Sequence, residues 1–151
     1  MPSISSLIHK LQADYPDITF VKSEQFSWSP KNRSVSYSIA SDDAKSHLIH
    51  EVSHAILNHS GYLRDVELLA METSAWEKAK EIGPSYGVHI DEDEIQDSLD
   101  TYRDWLHARS TCPNCTATGF QIKDSTYKCL ACSHMWRVNE AKLCRLRRYS
   151  I

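Results

Sequence analysis

Residues 47–59, HLIHEVSHAILNH, contain four histidines and one glutamate in thirteen positions. Because successive residues of an α-helix are rotated by about 100°, His50 and His54 lie only about 40° apart on one face. Two imidazoles at this spacing can bind one metal ion, and Glu51 beside the first can accept a proton from a metal-bound water. The stretch therefore predicts a helix of the kind found in zinc hydrolases. The alternative is an amphipathic helix that carries surface histidines.

The other two histidines of this stretch are not predicted to bind the ion. His47 falls on the same face as His50, one turn earlier, and is either an outer contact of the site or a neighbour satisfied elsewhere. His59 projects roughly opposite His50 if the helix continues that far. It can therefore approach the same site only if the helix breaks at Asn58.

A catalytic zinc generally takes three protein ligands and leaves one position open for water. The metzincin pattern is excluded, because it would place glycine and histidine where this chain has Leu57 and Ser60. The third ligand is then a glutamate of the next helix, either Glu67 or Glu72. On a helical wheel Glu72 lies in the apolar stripe and Glu67 in the charged one. Since a carboxylate among apolar side chains is costly unless it is paired or binds a metal, Glu72 is the predicted ligand.

The pattern HEVSHAILNH at 50–59, followed by ETSAWEKA at 72–79, resembles the gluzincin metallopeptidases, in particular their minimal intracellular members of the ImmA/IrrE-like kind. The resemblance covers about residues 1–85. It implies a zincin-like domain with one catalytic Zn²⁺ on His50, His54 and Glu72, and with Glu51 as the general base of peptide hydrolysis. By analogy, an edge strand within 26–39 would hold an extended peptide substrate by strand addition. The donor to the oxyanion is left open among Tyr62, Tyr86 and His89.

Two CxxC pairs, CPNC at 112–115 and CLAC at 129–132, are separated by thirteen residues. Four thiolates in two tight turns can close a tetrahedral site, which predicts a second, structural Zn²⁺ in a zinc ribbon and disfavours a redox CxxC. Its ligands are Cys112, Cys115, Cys129 and Cys132. The spacer TATGFQIKDSTYK is predicted to be a β-hairpin whose small core is Phe120, Ile122 and Tyr127. Cys144 is expected to be an ordinary helix residue.

The role of the ribbon has two interpretations. It binds nucleic acid, or it packs beside the active site as a lid or peptide-docking platform. Zinc ribbons often bind nucleic acid, and here basic residues follow the cysteines and aromatic side chains are available for stacking. These residues are Lys142, Arg145, Arg147, Arg148, Trp136 and Tyr149. The last stretch, VNEAKLCRLRRYSI at 138–151, is predicted to form a short basic helix.

The order of elements predicts an α+β fold. Helices are expected near 3–14, 44–58, 65–82 and 91–108, the second one capped by residues 41–43, and two antiparallel strands are expected at 18–30 and 33–40. The predicted domains are 1–110, a metallopeptidase domain, and 111–151, a zinc ribbon with a basic helix.

Composition and charge separate the same two regions. The 151 residues are 41% hydrophobic and 25% charged, which is typical of globular proteins. From Thr111 onward, seven Lys or Arg and two Asp or Glu give a surplus of +5, which leaves −8 for residues 1–110 of a chain with net charge −3. The five cysteines, all after residue 111, favour a reducing compartment. With no apolar run long enough to span a bilayer and no signal-peptide pattern, we expect a cytoplasmic protein that does not bind membranes.

These observations predict an intracellular zinc-dependent endopeptidase. Two alternatives remain. One is a SprT-like protease that acts on DNA-bound proteins, although that family normally has a third histidine ligand. The other is a non-catalytic regulator that binds nucleic acid through the ribbon and the basic tail.

Overall fold

The computed structural model describes residues 3–40, 43–140 and 146–151 of the chain. Within these residues it has four α-helices, a short 3-10 helix at Gly83–Tyr86 and two small sheets, which confirms the α+β class. The helices are α1 Ile4–Asp14, α2 Ala44–Ile56, α3 Asp65–Ile82 and α4 Glu92–Ser110. The strands are β1 Thr19–Lys22, β2 Ser27–Ser29, β3 Ser34–Tyr37, β4 Phe120–Lys123, β5 Thr126–Lys128, β6 Met135–Val138 and β7 Arg148–Ser150.

The described residues divide into two compact units. The first unit contains Met1–Ser60 and Met71–Ile95, and the second contains Gly61–Ala70 and Gln96–Ile151. Helices α3 and α4 each begin in one unit and end in the other, because both division points fall inside helices.

In the first unit, α1 and α2 pack with the three-stranded sheet. Helix α1 is capped by Ser3, whose hydroxyl accepts a hydrogen bond from the Ser6 amide, and it ends before Pro16. The core of this unit is mostly apolar. Its largest buried side chains are Leu7, Leu11, Val35, Leu48, Ile49, Val52 and Trp76.

The prediction of two antiparallel strands at 18–30 and 33–40 is partly wrong. The first segment forms two strands, because the chain bends between Lys22 and Ser27. Only β2 pairs antiparallel with β3, through the turn at Pro30, whereas β1 pairs parallel with β3. The order is therefore β1-β3-β2, with β1 and β2 at the edges.

Helix α2 ends two residues earlier than the predicted Asn58. Asn58 has a φ of 55°, in the left-handed region where asparagine is tolerated better than most residues, so the helix cannot continue through it. The Arg33 guanidinium donates to the Asn58 side-chain oxygen at 3.3 Å. The chain turns back here, and the amide of His59 donates to the carbonyl of His54 at 3.0 Å.

The second unit contains a four-stranded antiparallel sheet in the order β4-β5-β6-β7. The hairpin predicted in the cysteine spacer corresponds to β4 and β5. The basic helix predicted at 138–151 is wrong in the described residues at its two ends, because Val138 ends β6 and Arg148–Ser150 forms β7. Backbone pairing of Arg137 with Tyr149 satisfies the hydrogen bonds that a helix would otherwise make internally. Residues 141–145, including Lys142, Cys144 and Arg145, lie outside the described residues, as do Ser41 and Asp42 of the predicted helix cap.

The core of this sheet differs from the predicted one. Tyr127 is buried as expected, but Phe120 is 41% exposed. Trp136, predicted to be available for stacking on bases, is completely buried and stacks on Tyr127 with ring centroids 5.7 Å apart. Gly119 makes room for the indole, since a Cβ at that position would lie 2.4 Å from Cη2 of Trp136.

Among the described residues, no helix combines the length and the apolar character that crossing a membrane requires.

Candidate metal centres

Three side chains of the first unit converge on one point, and we call them the histidine–glutamate cluster: His50, His54 and Glu72. The Nε2 atoms of the two histidines are 3.2 Å apart. Glu72 places Oε2 at 2.9 Å from Nε2 of His50 and Oε1 at 3.3 Å from Nε2 of His54. All three residues are buried, so the convergence occurs away from bulk water.

These distances match the edges of a metal-coordination tetrahedron. With metal–ligand bonds of 2.0–2.1 Å, neighbouring nitrogen and oxygen ligands of a tetrahedral zinc are about 3.3 Å apart. Two neutral imidazoles and one carboxylate also form a common ligand set of catalytic zinc sites. The cluster could therefore hold a metal ion, and its donor set suits zinc.

Helices α2 and α3 bring these three side chains together. His50 and His54 lie one turn apart on α2, and Glu72 lies on the face of α3 that is buried with Ala75 and Trp76. Glu67, the alternative, is exposed, and its Oε2 accepts a hydrogen bond from the Leu63 amide at 3.0 Å. The buried position of Glu72 is what the helical wheel indicates.

The pKa values within the cluster reflect competition between burial and pairing. Burial alone would raise the pKa of Glu72, but its hydrogen bonds with His50 and His54 outweigh burial and lower the pKa to about 2. Burial lowers the pKa of His50 despite the neighbouring Glu72. For His54, the opposing effect of burial is overcome by Glu72 and by the charge of Glu51, so its pKa is raised. Glu72 is thus ionised at neutral pH and can bind a cation.

Glu51 follows His50 on α2 and is half-buried. Burial raises its pKa to about 7, the nearby His54 opposes this shift, and the negative charge of Glu72 adds to it. A carboxyl group with a pKa near neutrality, beside a candidate metal centre, has the acid–base properties that a general base requires.

His50 is held by an aromatic contact. Its ring stacks on the Trp76 indole with centroids 4.1 Å apart, and no hydrogen-bond partner for its Nδ1 is found within the described part of the chain. His47 belongs to a different neighbourhood. Its ring contacts Phe26 and Trp76, and its ligand atom lies within 4.8 Å of carboxylate oxygens of Asp43 and Glu94.

His59 adopts a position that the sequence predicts only on the condition of a break at Asn58. The break occurs, and Nδ1 of His59 lies 2.8 Å from Nδ1 of His54. Because Nε2 of His54 faces His50 and Glu72, His59 contacts the opposite ring nitrogen and is not a member of the cluster. The carbonyl of His59 accepts a hydrogen bond from the indole N–H of Trp28 at 2.9 Å, which connects β2 to this end of α2.

The second centre, the four-cysteine cluster, consists of Cys112, Cys115, Cys129 and Cys132. Sulfur atoms of Cys112 and Cys132 are 3.7 Å apart, and those of Cys115 and Cys129 are 3.5 Å apart. Metal–sulfur bonds of about 2.3 Å in a tetrahedron would place the sulfurs about 3.8 Å apart. The cluster could therefore hold a metal ion with four thiolate ligands.

Hydrogen bonds shift the pKa values of two thiols of this cluster in opposite directions. The His134 amide and the Asn114 side chain lower the pKa of Cys132 to about 6. The Ala117 amide acts in the same direction on Cys115, but the thiols of Cys129 and Cys132 outweigh it and raise the pKa to about 12. The cluster therefore contains a thiol that ionises readily, as binding a cation through thiolates requires.

Tyr86, a predicted candidate for the oxyanion donor, makes a different hydrogen bond. The hydroxyl of Tyr86 donates its proton to Asp14 at 2.6 Å, so it does not donate to an oxyanion. The sequence does not predict a buried network of the second unit, in which Arg109 and the hydroxyl of Tyr127 both donate to Asp65. A basic residue near the end of a long polar helix carries no sequence signal of burial.

Comparisons with models of protein families, with curated proteins and with solved structures found no match to this chain.

Proposed function

We propose that the protein is a zinc-dependent endopeptidase of the gluzincin type. The observation that carries this proposal is the convergence of His50, His54 and Glu72 in tetrahedral-edge geometry, with Glu51 beside them. The side chains of the cluster come from two helices and from positions 22 residues apart, so helical periodicity alone does not account for their meeting.

Zinc held by this cluster would supply Lewis acidity, polarising a water molecule and the carbonyl of the scissile peptide bond. Glu51 would accept the proton of the water and pass it to the leaving amine. Its pKa of about 7 suits both transfers, because the group can be ionised before the attack and protonated after it. Glu72, with its low pKa, would remain an anion throughout.

The substrate would be an extended peptide or protein segment. β2 is an edge strand of the three-stranded sheet, as strand addition requires, and Trp28 of this strand hydrogen-bonds to the end of α2 through His59. A peptide paired with β2 would therefore lie along the helix that carries the metal ligands. Of the oxyanion donors named from the sequence, His89 lies in the same unit as the cluster and is the candidate for this role.

The ligand set favours the gluzincin assignment over the SprT-like alternative. That family normally has a third histidine ligand, whereas here a glutamate completes the cluster and His59 contacts the far nitrogen of His54. The four-cysteine cluster would hold a second, structural zinc in a zinc ribbon, since four thiolates leave no coordination position open for a substrate.

Replacing the proposed base tests the mechanism. Glu51→Gln should retain zinc and lose about 100- to 10,000-fold in the hydrolysis rate of a labelled casein-like substrate, because the amide cannot accept the proton. Glu77→Gln, an exposed change on α3, is the matched control and should retain full activity. Undiminished hydrolysis by Glu51→Gln would overturn the mechanism. Wild-type protein that binds zinc at the cluster and hydrolyses no peptide would favour the non-catalytic regulator.

A further inference from the structure

The second unit presents a sheet face that the peptidase proposal does not use. In antiparallel pairs, residues directly opposite each other project to the same face. Tyr127 pairs with Trp136 on the buried face, so the residues on either side of them project from the other face. Phe120 pairs with Lys128, Lys128 with Met135, and Arg137 with Tyr149. Thr126, which pairs with Arg137 on the same face, is buried. We call the remaining residues of this face the open face: Phe120, Lys128, Met135, Arg137 and Tyr149.

The open face combines exposed aromatic rings with positive charge. Phe120 and Tyr149 are each 41% exposed, at the two outer strands, and the Arg137 guanidinium lies 5.1 Å above the Tyr149 ring. The cations of the open face are Lys128 and Arg137, and the residue ranges of the four strands contain no Asp or Glu. A large exposed aromatic side chain normally costs solubility, and two on one cationic face indicate a binding surface.

We propose that the open face binds single-stranded nucleic acid. Bases have flat faces that stack on aromatic rings and on guanidinium planes, and the phosphates between them need cations. Each outer strand of the open face carries one aromatic ring, and Lys128 and Arg137 lie on the two strands between the rings. The rings are thus placed for bases and the cations for the phosphates between those bases. Three spacings of about 4.8 Å across the sheet and an offset of two residues along the strands, about 7 Å, place the two rings about 16 Å apart, so one strand of nucleic acid can reach both.

Charge and exposure favour this ligand over a protein partner. A protein partner with an apolar surface would be matched by an apolar face without cations. A protein partner with an acidic surface would be matched by cations and would not need the exposed rings. A duplex is also a poorer ligand, because its bases are stacked on each other and unavailable to Phe120 and Tyr149. The proposal is independent of the peptidase activity, since it uses neither the histidine–glutamate cluster nor Glu51.

The test is the binding of a fluorescein-labelled oligothymidylate of about 12 nucleotides to the zinc-loaded full-length chain, followed by anisotropy at about 50 mM salt. Tyr149→Phe should bind as the wild type does, because the ring is retained. Tyr149→Leu and Phe120→Leu should each weaken binding by about tenfold, because an aliphatic side chain does not stack on a base. Arg137→Gln should reduce the salt dependence, lowering the slope of log K against log salt by about 0.7.

Arg103→Gln is the matched control for charge, since Arg103 is exposed on α4 and paired with Asp100. It should leave both the affinity and the salt slope unchanged. Any of three outcomes would overturn the proposal: no binding at low salt, equal binding by the tyrosine-to-leucine variant, or displacement of the oligonucleotide by polyglutamate at matched charge, which would show an acidic-protein surface instead.

Discussion

Nδ1 of His59 lies 2.8 Å from Nδ1 of His54, on the side of the imidazole opposite the candidate metal centre. A hydrogen bond across this contact couples the tautomers of the two histidines. When Nδ1 of His54 carries the proton and donates to His59, Nε2 keeps a free lone pair directed at His50 and Glu72. Burial and the nearby His54 lower the pKa of His59, which keeps it neutral and able to accept this hydrogen bond.

Removing this contact should weaken metal binding without removing a ligand. His59→Ala leaves Nδ1 of His54 without an acceptor, and the loss of such an outer hydrogen bond typically costs about 10- to 100-fold in metal affinity. Titration with a competing chelator measures the change. His9→Ala, an exposed histidine on α1, is the control and should have wild-type affinity. Wild-type affinity in both variants would show that His59 does not position His54.

Glu72 and Glu67 give a matched pair of substitutions on one helix. We expect Glu72→Ala to retain about one zinc per chain, bound by the four cysteines, whereas the wild type holds about two. Glu67→Ala should retain both, because that side chain is exposed and bonded to the Leu63 amide. Metal analysis of the purified proteins measures the ratio. Loss of zinc from the Glu67 variant alone would reverse the assignment.

The rate of peptide hydrolysis should fall as the pH is lowered. Glu51, whose pKa burial raises to about 7, can act as a base only when ionised, so the fraction that is competent falls as the pH falls through that value. A neighbouring zinc ion would move the midpoint of kcat/KM lower, and therefore the midpoint should lie at or below about 7 with a limiting slope of one. The profile is measured from pH 5 to 9 with zinc content determined at each pH. Rates that stay constant down to pH 5, with zinc retained, would exclude a group of this pKa.

Local periodicity accounts for what could be predicted from the sequence. α3 has the predicted bounds because its apolar stripe is long and Gly83-Pro84 follows it, and the same stripe identifies Glu72 as buried. The proximity of His50 and His54 follows from helix geometry alone. These features depend on residues within a few turns of one another.

Pairing between distant segments accounts for the errors. The parallel pairing of β1 with β3 depends on where the chain bends after Lys22, which no local pattern states. Residues 138–151 include good helix formers, but the backbone of β6 offers hydrogen bonds to Arg148–Ser150 that outweigh a weak helix propensity. The sequence alone does not show whether Trp136 is exposed for stacking or buried. Its burial depends on the three-dimensional position of Gly119, which leaves room for the indole.

The buried pair of Asp65 and Arg109 allows a prediction about stability. Both side chains are 5% exposed, with Nε of Arg109 donating to Oδ2 of Asp65 at 2.7 Å. Asp65→Asn leaves the guanidinium buried without a counter-charge, which should lower the free energy of unfolding by about 3–5 kcal/mol. Tyr127→Phe removes one hydrogen bond to Asp65 and should cost only about 1 kcal/mol.

Urea denaturation of the zinc-loaded variants measures these costs, with Arg103→Gln as the control for an exposed pair, expected to cost below about 0.5 kcal/mol. The double replacement Asp65→Asn with Arg109→Met separates pairing from packing. If the cost of Asp65→Asn arises from the unpaired charge of Arg109, the double variant should regain much of the lost stability, because no charge is then buried. If the double variant instead loses as much stability as the two single variants together, the cost arises from packing at the site and not from the unpaired charge.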